Sequence, residues 1–140
     1  MQILAPRKLL RKFRKECRET FPKEHFAVLF GKRSDRGALM ITRIAPVAYD
    51  STVDGLDPKK GVIEWSKTQA IKNGDEWLGT IHSHCHRATD PACWCLSEQD
   101  VRTAMAWGES VCGLVYVYDR GKRTSLHWYI PQPLPEVAYY

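Results

Sequence analysis

The sequence has no apolar run that could cross a membrane: its longest, Phe26 to Phe30, is far below the ~20 residues that a spanning helix needs. No apolar segment follows the basic start, so we expect no secretory signal. The five cysteines are odd in number and irregularly spaced. Such spacing argues against a disulfide framework and favours a reducing, cytoplasmic location. No internal repeat or linker appears either, which favours a single domain over residues 1–140.

Positive charge is concentrated in one part of the chain. Residues 1–23 carry eight lysines and arginines against Glu16 and Glu19, and the rest of the chain is close to neutral. This segment could attract an acidic protein or nucleic acid. It lacks interleaved aromatic residues, so a solvated helix face is the favoured interpretation and nucleic-acid binding is not expected.

Apolar residues recur every three to four positions after Pro6, with basic residues opposite them, which predicts an amphipathic helix. The other elements follow from alternation, turn residues and caps. In chain order we predict a helix over roughly 6–20, strands over 25–33 and 36–47, a loop over 48–60, a strand over 61–65, a short helix over 66–73, a strand over 76–84, a helix over 97–108, and a hairpin of strands 110–119 and 124–131. The Pro-rich tail, 131–140, is predicted to be irregular. The prediction is an α/β (α+β) domain with a mainly antiparallel sheet flanked by helices.

The segment TIHSHCHRATDPACWCLSEQD, residues 80–100, holds three of the five histidines and three of the five cysteines. His82 and His84 alternate at the end of a predicted strand, so both side chains point to one face. Asp100 lies in the first turn of the next predicted helix. Two nitrogens and one carboxylate oxygen leave a fourth tetrahedral position for water, the plan of a catalytic zinc site. Ser97-x-x-Asp100 could also be no more than a helix cap.

His-Ser-His followed by Ser-x-x-Asp resembles the metal motif of the JAB1/MPN/Mov34 (JAMM) metalloproteases. The family's second mark is a glutamate in a Pro-x-Glu context between the first helix and the first strand. FPKEHFAVLFGK supplies that glutamate as Glu24, and the resemblance covers roughly residues 6–131. The chain departs from the family at Cys85, where proline is usual, and in a spacer, 85–96, about five residues longer. His86 could in principle replace His84 in the motif, but His84 keeps the family's position.

The resemblance implies a small standalone JAB-domain protein of bacterial or phage type with an MPN/JAB-like fold. It implies that His82, His84 and Asp100 bind Zn²⁺, that Glu24 is the general base, and that Ser97 stabilises an oxyanion. The implied reaction is zinc-dependent hydrolysis of a peptide or isopeptide bond at the C-terminus of ubiquitin or a ubiquitin-like protein. E1-like or E2-like proteins of the same system would be further partners.

The cysteines of the spacer leave other interpretations open. Cys85, His86, Cys93 and Cys95 are enough in number for a second, structural zinc, although a substrate-facing loop with reduced thiols is favoured. A thiol hydrolase is less favoured, because no orienting group for a Cys–His pair can be identified. The chain could also be a metal-free MPN-type scaffold, or a nucleic-acid-binding protein that uses its basic helix. Retention of every motif residue weighs against a scaffold.

Overall fold

The computed structural model describes residues 2–52, 55–86, 95–130 and 136–140. Its elements alternate between strands and helices along the chain. They are β1 (Gln2–Ala5), α1 (Arg7–Thr20), β2 (Phe26–Arg33), β3 (Leu39–Pro46), β4 (Tyr49–Thr52), β5 (Gly55–Pro58), α2 (Val62–Lys72), β6 (Glu76–Cys85), α3 (Glu98–Trp107), β7 (Val111–Tyr118), β8 (Arg123–Tyr129) and β9 (Glu136–Tyr139). No helix among the described residues is long and apolar enough to span a membrane.

Seven strands form one sheet in the order β8-β7-β6-β2-β3-β1-β9, and β4 and β5 form a separate two-stranded sheet. The large sheet is mixed. β2 pairs antiparallel with β3 and β6, and β7 with β8, whereas β6–β7, β1–β3 and β1–β9 are parallel. The predicted α+β architecture is confirmed, with parallel pairs contributing alongside the antiparallel ones.

Helices cover both faces of the sheet, which explains the continuous apolar run from Phe26 to Phe30 in β2. Alternate residues of a strand point to opposite faces. Ala27 and Leu29 pack into a cluster with α1, while Phe26 and Val28 pack into a second cluster with α2 and Trp107 of α3. Because both faces are buried, the strand needs a continuous apolar run rather than an alternating one.

Helix α1 begins one residue after the predicted start. Leu10, Phe13 and Cys17 are buried at spacings of three and four, as the amphipathic pattern predicts. The basic residues of the helix remain half-buried or exposed.

Three predictions about local structure are wrong. Residues 61–65 begin helix α2 rather than forming a strand: Ile63, Ser66 and Ala70 are buried at helical spacing, and Gly61 before the helix has a φ of 78°. The predicted loop 48–60 contains the β4–β5 hairpin. The tail, which was predicted to be irregular, ends in strand β9, and β9 pairs with β1. Strand β1 was not predicted from the sequence. Residues 131–135 lie outside the described part.

Gly79 fixes the separation of β6 and β7. Its φ is 154°, and a Cβ at this position would lie 1.8 Å from the Val111 carbonyl oxygen. We expect Gly79→Ala to push the two strands apart and to lower the free energy of unfolding by about 3 kcal/mol or more. Urea denaturation measures this, with Gly37→Ala as control.

Gly37 also has a left-handed φ, 80°, but a Cβ there would meet nothing within 4 Å. Gly37→Ala should therefore lower the free energy of unfolding by only about 1–2 kcal/mol, the cost of a left-handed backbone conformation for a residue with a Cβ. Equal losses at both glycines would show that the close approach at Gly79 is not limiting.

Candidate metal centre

The candidate ligands lie at the carboxyl end of β6. His82 and His84 are alternate residues of the strand and are 6% and 8% exposed. His82 is the register partner of Phe26, which packs with α2 and α3. Both histidines therefore lie on the sheet face opposite α1, as their alternation predicts.

Asp100 joins the two histidines from the first turn of α3. The Asp100 Oδ2 atom is 3.0 Å from His84 Nε2 and 3.7 Å from His82 Nε2, and the two Nε2 atoms are 3.2 Å apart. One ligand atom from each residue lies within 4.8 Å of the others. Two imidazoles and one carboxylate are a common donor set for zinc, so this triad could hold a metal ion.

The helix cap and the metal triad use the same carboxylate. Ser97 Oγ accepts a hydrogen bond from Asp100 N at 3.1 Å, and Asp100 Oδ2 accepts one from Ser97 N at 3.0 Å. The two interpretations of Ser97-x-x-Asp100 are therefore compatible, because the capping box aims the carboxylate at the histidines.

The charge state of Asp100 suits a ligand. Burial by itself raises the pKa of this carboxyl. Hydrogen bonds with His82 and His84 outweigh burial and hold the pKa well below its usual value. The group is thus ionised at neutral pH, the form in which a carboxylate binds a metal.

Glu24 lies between α1 and β2, beside the end of β6. His25 N donates to Ser83 Oγ at 2.7 Å, and Ser83 N donates to the His25 carbonyl at 2.9 Å. These bonds continue the β2–β6 register by one residue beyond the Phe26–His82 pair. Extended by one more residue, this register would bring Glu24 opposite His84, and opposite residues of an antiparallel pair share a face.

Two sets of hydrogen bonds hold the segment that carries Glu24. The Glu24 carbonyl accepts a 2.6 Å hydrogen bond from Ser51 Oγ of β4. The His25 ring lies between Tyr49 OH, 2.6 Å from Nδ1, and Glu16 Oε2, 2.8 Å from Nε2. Sequence reasoning missed Tyr49 and Ser51, because they belong to the hairpin that was predicted as a loop.

A buried cluster of polar side chains lies next to His82. Thr80 donates a short hydrogen bond to Glu109, and Cys112 Sγ lies 4.0 Å from His82 Nδ1. Burial raises the pKa of the Cys112 thiol, so this sulfur is a poor nucleophile. Thr80 could have been found, since it precedes His82 by two residues on the same face. Glu109 and Cys112 could not, because they depend on the parallel β6–β7 pairing.

Glu109 should make the metal-free protein sensitive to pH. Burial raises the pKa of its carboxyl above 4.5, so the folded state keeps the proton longer than the unfolded state does. Its contribution to stability is complete below 4.5 and is lost as pH rises through the folded value. Glu109→Gln cannot ionise, so we expect it to gain stability relative to the natural chain as pH rises.

Urea denaturation in chelator between about pH 5 and pH 8 tests this expectation. Glu19→Gln, at an exposed glutamate of α1, is the matched control and should show no such trend. A stability difference for Glu109→Gln that is constant with pH would contradict the assignment.

Of the other predicted ligands, Cys85 and His86 lie apart from the triad. Cys85 is buried in the α1 cluster, with its thiol directed to the Lys23 carbonyl at 3.5 Å, and the His86 ring contacts Tyr116 OH. Among the described residues the only group that could hold a metal is His82, His84 and Asp100. The structure thus places His84, not His86, in the triad. Cys93 lies outside the described residues, and the second zinc stays a prediction.

Residues 6–131 match the sequence profile of the family described as prokaryotic homologs of the JAB domain. Among solved structures, a protein from Desulfitobacterium hafniense is 18% identical with a TM-score of 0.65, over 100% of this chain and 93% of that one. A JAB1/MPN domain protein from Archaeoglobus fulgidus is also 18% identical, with a TM-score of 0.57 over 99% and 97%. At such identity the likeness shows the fold. No curated protein matches the chain.

Proposed function

The chain belongs to the prokaryotic family of JAB-domain homologues, and we propose on that premise that it is a zinc-dependent peptidase or isopeptidase. The bond cleaved would lie at the C-terminus of ubiquitin or a ubiquitin-like protein. The observation that carries the proposal is the triad of His82, His84 and Asp100, whose ligand atoms lie within 4.8 Å of one another. A scaffold would not need two buried histidines of a strand end and a carboxylate of the next helix to converge on one point.

The donor set fits zinc. Borderline-soft imidazole nitrogens and one carboxylate occupy three positions, which is the composition of known hydrolytic zinc sites. When bound there, zinc would supply the Lewis acidity that lets water ionise near neutral pH. Asp100 is already ionised and aimed by its cap, so little rearrangement of the chain is needed.

Glu24 and Ser97 would supply the proton transfers and the oxyanion contact. Glu24 would take a proton from the attacking water and deliver it to the leaving amine. Its support is the β2–β6 register, which, extended by two residues, would bring Glu24 opposite His84. The Ser97 oxygen accepts from Asp100 N, which leaves its own hydroxyl proton free to donate to the oxyanion of the tetrahedral intermediate. A thiol nucleophile is unnecessary in this scheme.

The wider setting is also a proposal. The substrate would be a ubiquitin-like protein or its conjugate, with E1-like or E2-like proteins as further partners. We propose a cytoplasmic location. Its support is that the described cysteines, Cys17, Cys85, Cys95 and Cys112, are free thiols.

The test is metal content together with cleavage. Elemental analysis of the purified protein should find bound zinc. The probes are ubiquitin and small bacterial ubiquitin-like proteins, each with a fluorophore amide-linked to its C-terminus. The protein should cleave at least one of these probes, and a chelator should abolish the cleavage until zinc is added back. A protein that binds zinc but cleaves none of these probes, even at high enzyme concentration, would favour a scaffold.

A further inference from the structure

A basic groove lies on the face of α1 away from the metal centre. It has a volume of about 480 Å³, within the range of ordinary ligand sites. Its lining combines four arginines with apolar and aromatic side chains: Arg7, Leu10, Arg11, Arg14, Arg18, Leu126 and Tyr139. We call it the arginine groove. It lies between α1 and the two edge strands of the large sheet, β8 and β9.

The four arginines form a row along one side of α1. Their spacing of four, three and four residues places successive guanidinium groups about one turn, ~5.4 Å, apart along the helix. Arg14 is anchored, since its Nε donates to Thr124 Oγ1 at 2.7 Å and its Nη2 to the Thr124 carbonyl at 2.9 Å. The guanidinium groups of Arg7, Arg11 and Arg18 have no hydrogen bond or ion pair within the described part of the chain. Three unneutralised charges in a row suit a polyanionic partner.

The floor of the groove includes the free edge of β8. Because Arg14 reaches the Thr124 carbonyl, the backbone of Thr124 faces away from β7. Backbone groups of an antiparallel strand alternate, so the N–H and C=O of Leu126 face the same way. No described strand pairs with this edge, and at its far end Trp128 Nε1 donates to Tyr139 OH at 3.0 Å. An extended peptide can form hydrogen bonds with such an edge.

We propose that the arginine groove binds an acidic segment of a partner protein in extended conformation. Carboxylates on alternate residues of an extended chain are ~6.6 Å apart, close to the spacing of the arginines. Leu10 and Leu126 line the same groove and supply apolar contacts for the methylene stems of the bound acidic side chains. A single-stranded nucleic acid fits less well. Its bases need a row of aromatic rings, and among the described residues Tyr139 is the one ring that lines the groove.

This site is separate from hydrolysis. α1 covers the sheet face opposite the one that carries His82 and His84, so a peptide bound in the groove would tether a partner without touching the triad. The proposal therefore goes beyond the zinc-dependent reaction and can be tested by binding alone.

Fluorescence anisotropy measures binding of a labelled peptide of about eight alternating glutamates and valines, a length that spans the row of arginines. The same peptide with glutamine for glutamate, and oligo-dT of similar length, are the comparison probes. The triple variant Arg7→Gln, Arg11→Gln, Arg18→Gln should weaken binding of the acidic peptide about tenfold or more, since it removes three ion pairs. Arg14 is left in place because it holds β8.

The matched control is Lys8→Gln, Lys12→Gln, Lys15→Gln, which removes the same charge from the same helix outside the groove. It should weaken binding about twofold or less, and circular dichroism should show both triples folded. Hydrogen exchange at Leu126 should slow when the acidic peptide binds. Equal losses in both triples, binding of the glutamine peptide as tight as the acidic one, or preference for oligo-dT would each overturn the proposal.

Discussion

Replacing His84 with alanine is expected to remove the catalytic zinc and all hydrolysis above background. The variant leaves His82 and Asp100, and two ligands would not retain the zinc that we propose all three residues bind. The loss of affinity should exceed the ~10–100-fold typical when an outer partner of a ligand is removed. Elemental analysis after dialysis against a weak chelator measures the first effect, and cleavage of the C-terminal amide probe the second.

His86→Ala is the matched control, because this histidine lies two residues further along and contacts Tyr116 OH rather than the triad. It should keep both zinc and turnover. The assignment of ligands is wrong if His84→Ala retains both while His86→Ala loses them. If each variant loses about half of a two-zinc content, the spacer holds a second ion, and only the His84→Ala loss should abolish cleavage.

Glu24→Gln is expected to lower turnover by ~10²–10⁴-fold while zinc content and melting temperature hold. Glutamine keeps the shape and the hydrogen-bonding oxygen of the side chain but cannot accept a proton at neutral pH. The hydrogen bonds from Ser51 Oγ to the Glu24 carbonyl and from His25 N to Ser83 Oγ do not depend on the carboxylate, so the segment should stay in place. The inactive variant should still bind the tail of the ubiquitin-like protein and act as a substrate trap.

Glu98→Gln is the control for this experiment. Glu98 lies in the first turn of α3, is exposed, and pairs with Arg102. If Glu24 is not the base, this carboxylate of the same helix turn as Asp100 would be the next candidate. Near-natural cleavage by Glu24→Gln would show that the Pro-x-Glu match is coincidental, and a collapse of turnover in Glu98→Gln would identify the replacement.

The triad could be predicted from sequence because its geometry is local. Alternation along one strand places the side chains of His82 and His84 on the same face. The capping box, which spans the four residues from Ser97 to Asp100, orients the Asp100 carboxylate. The failures were non-local or came from short ambiguous segments. Val62 and Ile63 are two adjacent apolar residues, and such a short apolar run is compatible with a strand as well as with a helix. Tertiary contacts, which the local sequence does not show, determine which of the two forms. Pairing of β1 with β9 joins the two ends of the chain, and no local pattern encodes it.

The capping box of α3 has a consequence for how the chain can evolve. Because Ser97 and Asp100 orient each other, the direction of the carboxylate relative to α3 is set within the first turn of that helix. A change of length between residues 85 and 97 is therefore compatible with the triad as long as α3 keeps its place on the sheet, where Trp107 packs against Phe26. An insertion of one residue within β6 would instead turn a histidine to the α1 face.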